Sequence, residues 1–137
     1  MLSQIRNNLF VCAHKDLSEK IIKKLGITAV LNLAPEIPEF KSRVAKVVTA
    51  GFADSAVEAA KYGDEAVAEL KQMLQNGETV LAHCKQGASR TPHVVSQVLA
   101  EIENRDYFEV YDEVKSKHPR TMDYSIGQEI LDKGLKK

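Results

Sequence analysis

The sequence carries no net charge, no long apolar run and only two cysteines. Its 19 Lys and Arg balance 19 Asp and Glu over 137 residues. A neutral chain has no broad electrostatic pull toward nucleic acid or an anionic membrane, although a local positive pocket stays open. The longest apolar run near the N-terminus, Leu9-Phe10-Val11-Cys12-Ala13, is too short for a signal-peptide core or a membrane span. The expected compartment is therefore the reducing cytoplasm, where two cysteines serve as free thiols rather than as a structural disulfide. No repeat, low-complexity stretch or Pro/Gly/Ser-rich linker interrupts the chain. That favours one domain over residues 1–137, long enough for one sizeable core. Hydrophobic residues at 44% and charged residues at 28% are ordinary for a globular protein.

Within that domain strand-like and helix-like patterns alternate. Leu9–Cys12 predicts a first strand. Asp16 stands before Leu17, Ile21, Ile22 and Leu25, an apolar spacing of helical period. Glu19 follows Asp16 by three residues, as in a capping box, and Gly26 suits the stop. Thr28–Leu33 and Val44–Val48 predict strands, and Ala56–Leu74 an amphipathic helix ended by Asn76-Gly77. Thr79–Ala82 predicts a further strand. Val94, Val95, Val98, Leu99 and Ile102 form a helical stripe, with Pro92 in its first turn. Phe108, Tyr111 and Val114 predict another helix closed before Pro119, and Ile126, Ile130 and Leu131 a last one. The expected fold is α/β, with a central, mostly parallel sheet flanked by helices. Ligands of such sheets bind beyond the carboxyl ends of the strands, which directs attention to the segment after Thr79–Ala82.

That segment reads His83-Cys84-Lys85-Gln86-Gly87-Ala88-Ser89-Arg90-Thr91-Pro92. Five residues separate Cys84 from Arg90, enough for a semicircular loop between strand and helix. Gly87 frees the backbone at its middle. Inward amides from Lys85 to Ser89 can form an anion nest, and the helix that follows adds the positive end of its dipole. Arg90 can offer a planar fork to two phosphate oxygens. The same surroundings favour the thiolate of Cys84 as a nucleophile. Amides and Arg90 would then stabilise the charge that develops on the equatorial oxygens. Phosphate neutralisation is thereby assigned to protein groups, so no metal and no cofactor is expected. His14, His93 and His118 have no metal-ligand partners at useful spacing.

His-Cys-x-x-Gly-x-x-Arg-Thr resembles the signature of the cysteine-dependent protein tyrosine phosphatases, and Gly-Ala-Ser-Arg-Thr most resembles the small dual-specificity branch. Ile27–Leu33 is similar to an early strand of that branch. Phe108–Tyr111 through His118-Pro119-Arg120 is similar to its late helix, which ends near an Arg-Pro pair. That pair is reversed here, so no role passes to Arg120. The resemblance implies hydrolysis of phosphate monoesters through a phosphocysteine, with phosphorylated proteins as the leading substrates and partners. Phosphoinositides, phosphoglycans and RNA 5′ ends are the alternatives, as is a non-catalytic phosphate-binding module. It also implies a general acid on a loop some thirty residues before the cysteine. Asp54 stands there, after Gly51-Phe52-Ala53; its bland reading is a helix N-cap. Glu58 and Asp64 are weaker because both fall inside the predicted helix.

His83 resembles the family histidine that supports loop and thiolate by hydrogen bonding. Thr91 can bond the thiolate or cap the helix. Asn32 can tie the loop down or cap a turn. Lys85 faces either pocket or solvent, Cys12 is expected to be simply buried, and Tyr107, Phe108 and Tyr111 are expected in the core. A rhodanese-like sulfurtransferase has a loop one residue shorter, and an arsenate reductase needs resolving cysteines that the sequence lacks.

Overall fold

The computed structural model of the protein describes residues 1–135. It opens with a hairpin rather than with the expected single strand. β1 (Leu2–Arg6) and β2 (Leu9–Ala13) pair antiparallel across Asn7-Asn8. β1 buries only Ser3 and Ile5 fully, so its apolar alternation is broken by a serine; β2 is buried throughout. A 3-10 turn at His14–Asp16 follows, then α1 (Glu19–Leu25).

Asp16 does not cap α1. It pairs with the amino group of Met1, and Ser18 takes the cap, accepting from the Ile21 amide at 3.1 Å. The capping box is absent, because the Glu19 carboxylate reaches across to Ser42 Oγ (2.6 Å) and the Arg43 amide (2.7 Å). Gly26 ends the helix in the left-handed region, as expected.

β3 (Ala29–Asn32), β4 (Lys46–Thr49), α2 (Ala56–Gln75), β5 (Val80–Cys84), α3 (Arg90–Glu103), α4 (Tyr107–Lys117) and α5 (Ile126–Asp132) complete the chain. β4 begins later than predicted, because the Val44 and Ala45 amides close a turn on Ser42 Oγ. Ile102 and Leu131, expected on buried stripes, are exposed in the last turns of their helices. Tyr111 is buried as expected, Tyr107 half-buried and Phe108 exposed.

The sheet runs β1-β2-β5-β3-β4, parallel except for the opening hairpin. One face packs against α2–α5 through residues such as Leu70, Val95, Val98 and Val114. The other carries Phe10, Cys12, Val30 and Leu81 under Ile22 of α1. Parallel register aligns the strand ends: Ala13 lies beside Cys84, and His83 beside Asn32. The loops leaving β2, β3 and β5 therefore meet at one edge.

Candidate active site

The loop from Cys84 to Arg90 is held from outside, one carbonyl at a time. Lys85 O accepts from the His14 amide (3.1 Å) and Gln86 O from Arg120 Nε (2.8 Å). Gly87 O accepts from His118 Nε2 (2.8 Å) and Ala88 O from the Met122 amide (2.9 Å). In a trans peptide the C=O of one residue and the N–H of the next point in opposite directions. Four carbonyls drawn outward thus turn the amides of Gln86, Gly87, Ala88 and Ser89 inward, where they find no acceptor among the described residues. Four unpaired amides converging at a helix start form an anion cradle.

Gly87 makes this path possible. Its φ is +71°, and a Cβ there would meet the backbone of Cys12 and Ala13 at 3.0 Å. The loop is thus seated directly on β2. His118, fully buried, stands behind it. Its Nε2 donates to Gly87 O, so Nδ1 accepts from the Ser3 hydroxyl (2.6 Å). Burial shifts this histidine toward the neutral form that such bonding requires.

Arg90, buried at the start of α3, is oriented by Glu36 and by the backbone of Phe52. Nη1 donates to Glu36 Oε1 and to Phe52 O, both at 2.9 Å, and Nη2 donates to Glu36 Oε2 at 2.7 Å. A guanidinium has five N–H donors. Among the described residues three are used; the remaining two, on Nε and Nη2, lie on one edge and form a fork suited to two oxygens of a tetrahedral anion. The hydrogen bonds from Arg90 hold the Glu36 carboxyl down at about 2.

Each partner of Arg90 is itself positioned. Asn32 seats the loop that carries Glu36, with Oδ1 accepting from the Ala34 amide (2.9 Å) and Nδ2 donating to Ile37 O (3.2 Å). Nδ2 also donates to Thr49 Oγ1 of β4 (3.4 Å), and among the described residues no side-chain bond of Asn32 reaches residues 84–90. Phe52 is fixed through Gly51, which runs so close to Leu33 that a Cβ would lie 2.0 Å from Leu33 O.

Asp54 follows two residues later, exposed. It borders the same cleft of about 340 Å³ as Cys84, Arg90 and Glu36. It does not cap α2; Ser55 does, accepting from the Glu58 amide at 3.1 Å. Glu58 and Asp64 lie within α2 and do not line the cleft.

Thr91 is fully buried, and its hydroxyl has no partner among the described residues. Ser89 provides the N-cap position of α3 without a side-chain hydrogen bond. His83 Nδ1 lies 3.2 Å from Cys84 O, and burial pushes this histidine down to about 4. It meets the loop through backbone; no bond from it to the thiol is present among the described residues. Lys85 is exposed yet lines the cleft. Cys12 and Cys84 are both free. Glu36, His118 and Met122 were not foreseen at this site, and Arg120 received no role.

A family model described as "Dual specificity phosphatase, catalytic domain" matches residues 9–128. "Dual specificity protein phosphatase 1B" of Arabidopsis thaliana is 31% identical over 122 residues, covering 85% of this chain and 71% of that protein. Among solved structures, a mouse putative dual specificity phosphatase complexed with zinc tungstate has a TM-score of 0.82 at 19% identity. The match covers 96% of this chain and 84% of that one. Human DUSP28 has a TM-score of 0.80 at 19% identity, over 96% and 90%. At such identities the structures speak for the fold, whereas the family model and the plant relative speak for descent. A cysteine and an arginine flank an inward-facing amide cradle at the end of a parallel strand, in a chain that belongs to the dual specificity phosphatases, cysteine-based protein phosphatases.

Proposed function

We propose that residues 1–137 act as one catalytic domain that hydrolyses phosphotyrosine and phosphoserine/threonine in proteins through a phosphocysteine on Cys84. The observation that carries this reading is the set of four outward carbonyls, which turns four amides inward at a cleft that Cys84 and the Glu36-held Arg90 also line. The Cys84 thiolate attacks phosphorus in line, and the P–O bond to the leaving group breaks as the S–P bond forms. The amides and Arg90 bind the equatorial oxygens, whose charge they stabilise most at the transition state. Asp54 gives its proton to the departing oxygen. Water then attacks the phosphocysteine, Asp54 takes the proton back, and inorganic phosphate leaves with the thiolate restored. Thr91, whose buried hydroxyl has no partner among the described residues, supports the thiolate as a donor. Lys85, Gln86, Gly87, Ala88 and Ser89 contact the phosphate, and His83 holds the strand end.

The test compares wild type, Cys84→Ser and Asp54→Asn on phosphopeptides, phosphoinositides and 5′-phosphorylated RNA. Phosphopeptides are the expected substrates, and Cys84→Ser abolishes turnover because a serine hydroxyl is a far poorer nucleophile here. Asp54→Asn costs about 10²–10⁴-fold on phosphoserine, whose alkoxide needs a proton, and much less on an activated aryl phosphate. Turnover by Cys84→Ser overturns the mechanism. An equal loss on all substrates in Asp54→Asn removes Asp54 as the acid. Turnover of lipid or RNA without peptide overturns the substrate class.

A further inference from the structure

The amide cradle and Arg90 suit the phosphate of any monoester; what the leaving group meets is the rest of the cleft. Apart from residues of the 84–90 loop, that cleft is lined by Glu36, Asp54 and Met122. Two of the three are carboxylates, one of them committed to Arg90. The third is the one large apolar residue of the lining among the described residues. Beyond the cysteine itself, the loop adds only the methyl group of Ala88 to it.

A single exposed apolar side chain means little by itself. Met122 differs in how it is held. Its amide donates to Ala88 O at 2.9 Å, and its carbonyl accepts from the Tyr111 hydroxyl at 2.6 Å. The first bond ties it to the cradle, and the second to α4, where Tyr111 is buried. On its C-terminal side Asp123 pairs with Lys115 of α4, and the Tyr124 hydroxyl donates to Asp132 of α5 at 2.5 Å. The residue is nonetheless 50% exposed. With both backbone groups bonded, the thioether side chain is what Met122 has left to offer the cleft. A ligand that covers it orders side-chain rotamers but no loop, which keeps the entropic cost low.

We propose that Met122 is a specificity-determining residue: its side chain is the apolar wall against which the ring of phosphotyrosine packs, so that phosphotyrosine is favoured over phosphoserine in protein substrates. The inference rests on the protein-phosphatase reading and narrows it. A phenyl ring brings a broad apolar face, and contacts between sulfur and an aromatic ring are favourable. Phosphoserine brings one methylene, which covers little of the wall. Without an apolar partner, a ring beside Asp54, Glu36 and Lys85 would only take water away from polar groups. The sulfur–ring contact corresponds to about fivefold in affinity.

The test reads the ring apart from the chemistry, through inhibition of aryl phosphate hydrolysis by phenylphosphonate, methylphosphonate and inorganic phosphate. Phenylphosphonate is expected to bind the wild type about fivefold more tightly than methylphosphonate. Met122→Ala removes most of that lead. Met122→Gln, similar in length but polar, removes it as well, whereas Met122→Leu retains most of it. On phosphotyrosine and phosphoserine peptides of one sequence, the ratio of kcat/KM values falls about fivefold in Met122→Ala, mainly through KM for the phosphotyrosine peptide. A phenylphosphonate lead that is unchanged in Met122→Ala and Met122→Gln overturns the wall and leaves the phosphatase reading intact. So does an equal loss for all three inhibitors, which marks a displaced loop, and so does a wild type that prefers the phosphoserine peptide. Failure of the wild type to cleave either peptide overturns both readings.

Discussion

Cys12 and Cys84 sit on neighbouring strands one residue out of step, since Cys12 pairs with His83 and Ala13 with Cys84. Both are buried. Side chains alternate along a strand, so Cys12 enters the core beneath α1, whereas Cys84 enters the opposite layer at the edge of the cleft. The two thiols point apart, and no disulfide can join them without backbone movement. Beneath α1 burial dominates: it pushes Cys12 up to about 12 and its neighbour His83 down to about 4. Around Cys84 stand Arg90, Glu36, Asp54 and the inward amides. Burial alone therefore makes a cysteine inert; a strand end with amides and a held guanidinium makes one a candidate nucleophile.

The sharpest way to break this contrast is to remove the fork. Arg90→Lys keeps the charge but offers a point donor in place of two parallel N–H groups. A lost oxyanion donor typically costs about 10²–10³-fold in kcat, and a loss in that range is expected on an aryl phosphate. A change below tenfold would show that the environment of Cys84 does not depend on this geometry.

The α1 face can be tested by acid. His83 has its folded value lowered from 6.5 to about 4, so the unfolded chain takes up a proton first. The stability gained by keeping it neutral is fully present above pH 6.5 and is lost as pH falls through about 4. The loss is on the order of 3 kcal/mol, and His118, lowered by burial, adds to it in the same direction. Glu36, held at about 2, has the same sign but acts only below its ordinary 4.5. Urea unfolding at pH 7 and at pH 4.5 measures the slope, which becomes shallower in His83→Gln. An unchanged slope would mean that His83 is not kept neutral by burial.

A smaller effect is expected at Glu36. Glu36→Gln replaces one of the two carboxylate acceptors with an NH₂ group facing a guanidinium. Arg90 then loses a charge-assisted bond of the stronger kind. We expect kcat/KM to fall about tenfold, or about 1.4 kcal/mol, with Glu36→Asp intermediate. If activity is unchanged, Phe52 O alone orients the arginine.

The β5–loop–α3 unit was legible because its signals are local: an apolar strand, a glycine at mid-loop, a proline in the first turn. The residues that hold it were not. Glu36 lies 54 positions from Arg90, His118 lies 31 from Gly87 and 115 from Ser3. Nothing in the spacing of a turn such as His118-Pro119-Arg120 says which carbonyl it will meet. The family resemblance directs attention to Asp54 through its distance from Cys84, whereas its separation from the capping role needs Ser55 in place. The opening hairpin was missed for a local reason, a buried serine where β1 should have shown an apolar residue. The cap of α1 moved because Asp16 had a charged partner at the chain start, which outcompetes a neutral amide.

The mildest prediction concerns Cys12 and is the cleanest control on the comparison. Its side chain is fully buried among Phe10, Ile22, Ile27, Val30 and Leu81, where a cysteine acts as a small hydrophobe. Cys12→Ala removes one sulfur atom and leaves a void smaller than a Leu→Ala deletion would, so a cost of about 1 kcal/mol is expected. Cys12→Ser keeps the volume but buries a hydroxyl among apolar side chains, at about 1–3 kcal/mol. The serine variant should therefore be the less stable of the two, against the order expected from size. Both should keep kcat/KM within about twofold at temperatures well below unfolding. The backbone of Cys12 seats Gly87, and neither substitution alters that backbone. Iodoacetamide should label the native wild type and Cys12→Ala alike, at Cys84, and should leave Cys84→Ser unlabelled until it unfolds. A large loss of activity in Cys12→Ala with the fold intact would show that the two cysteines are coupled through β2, and that the layer beneath α1 belongs to the catalytic machinery after all.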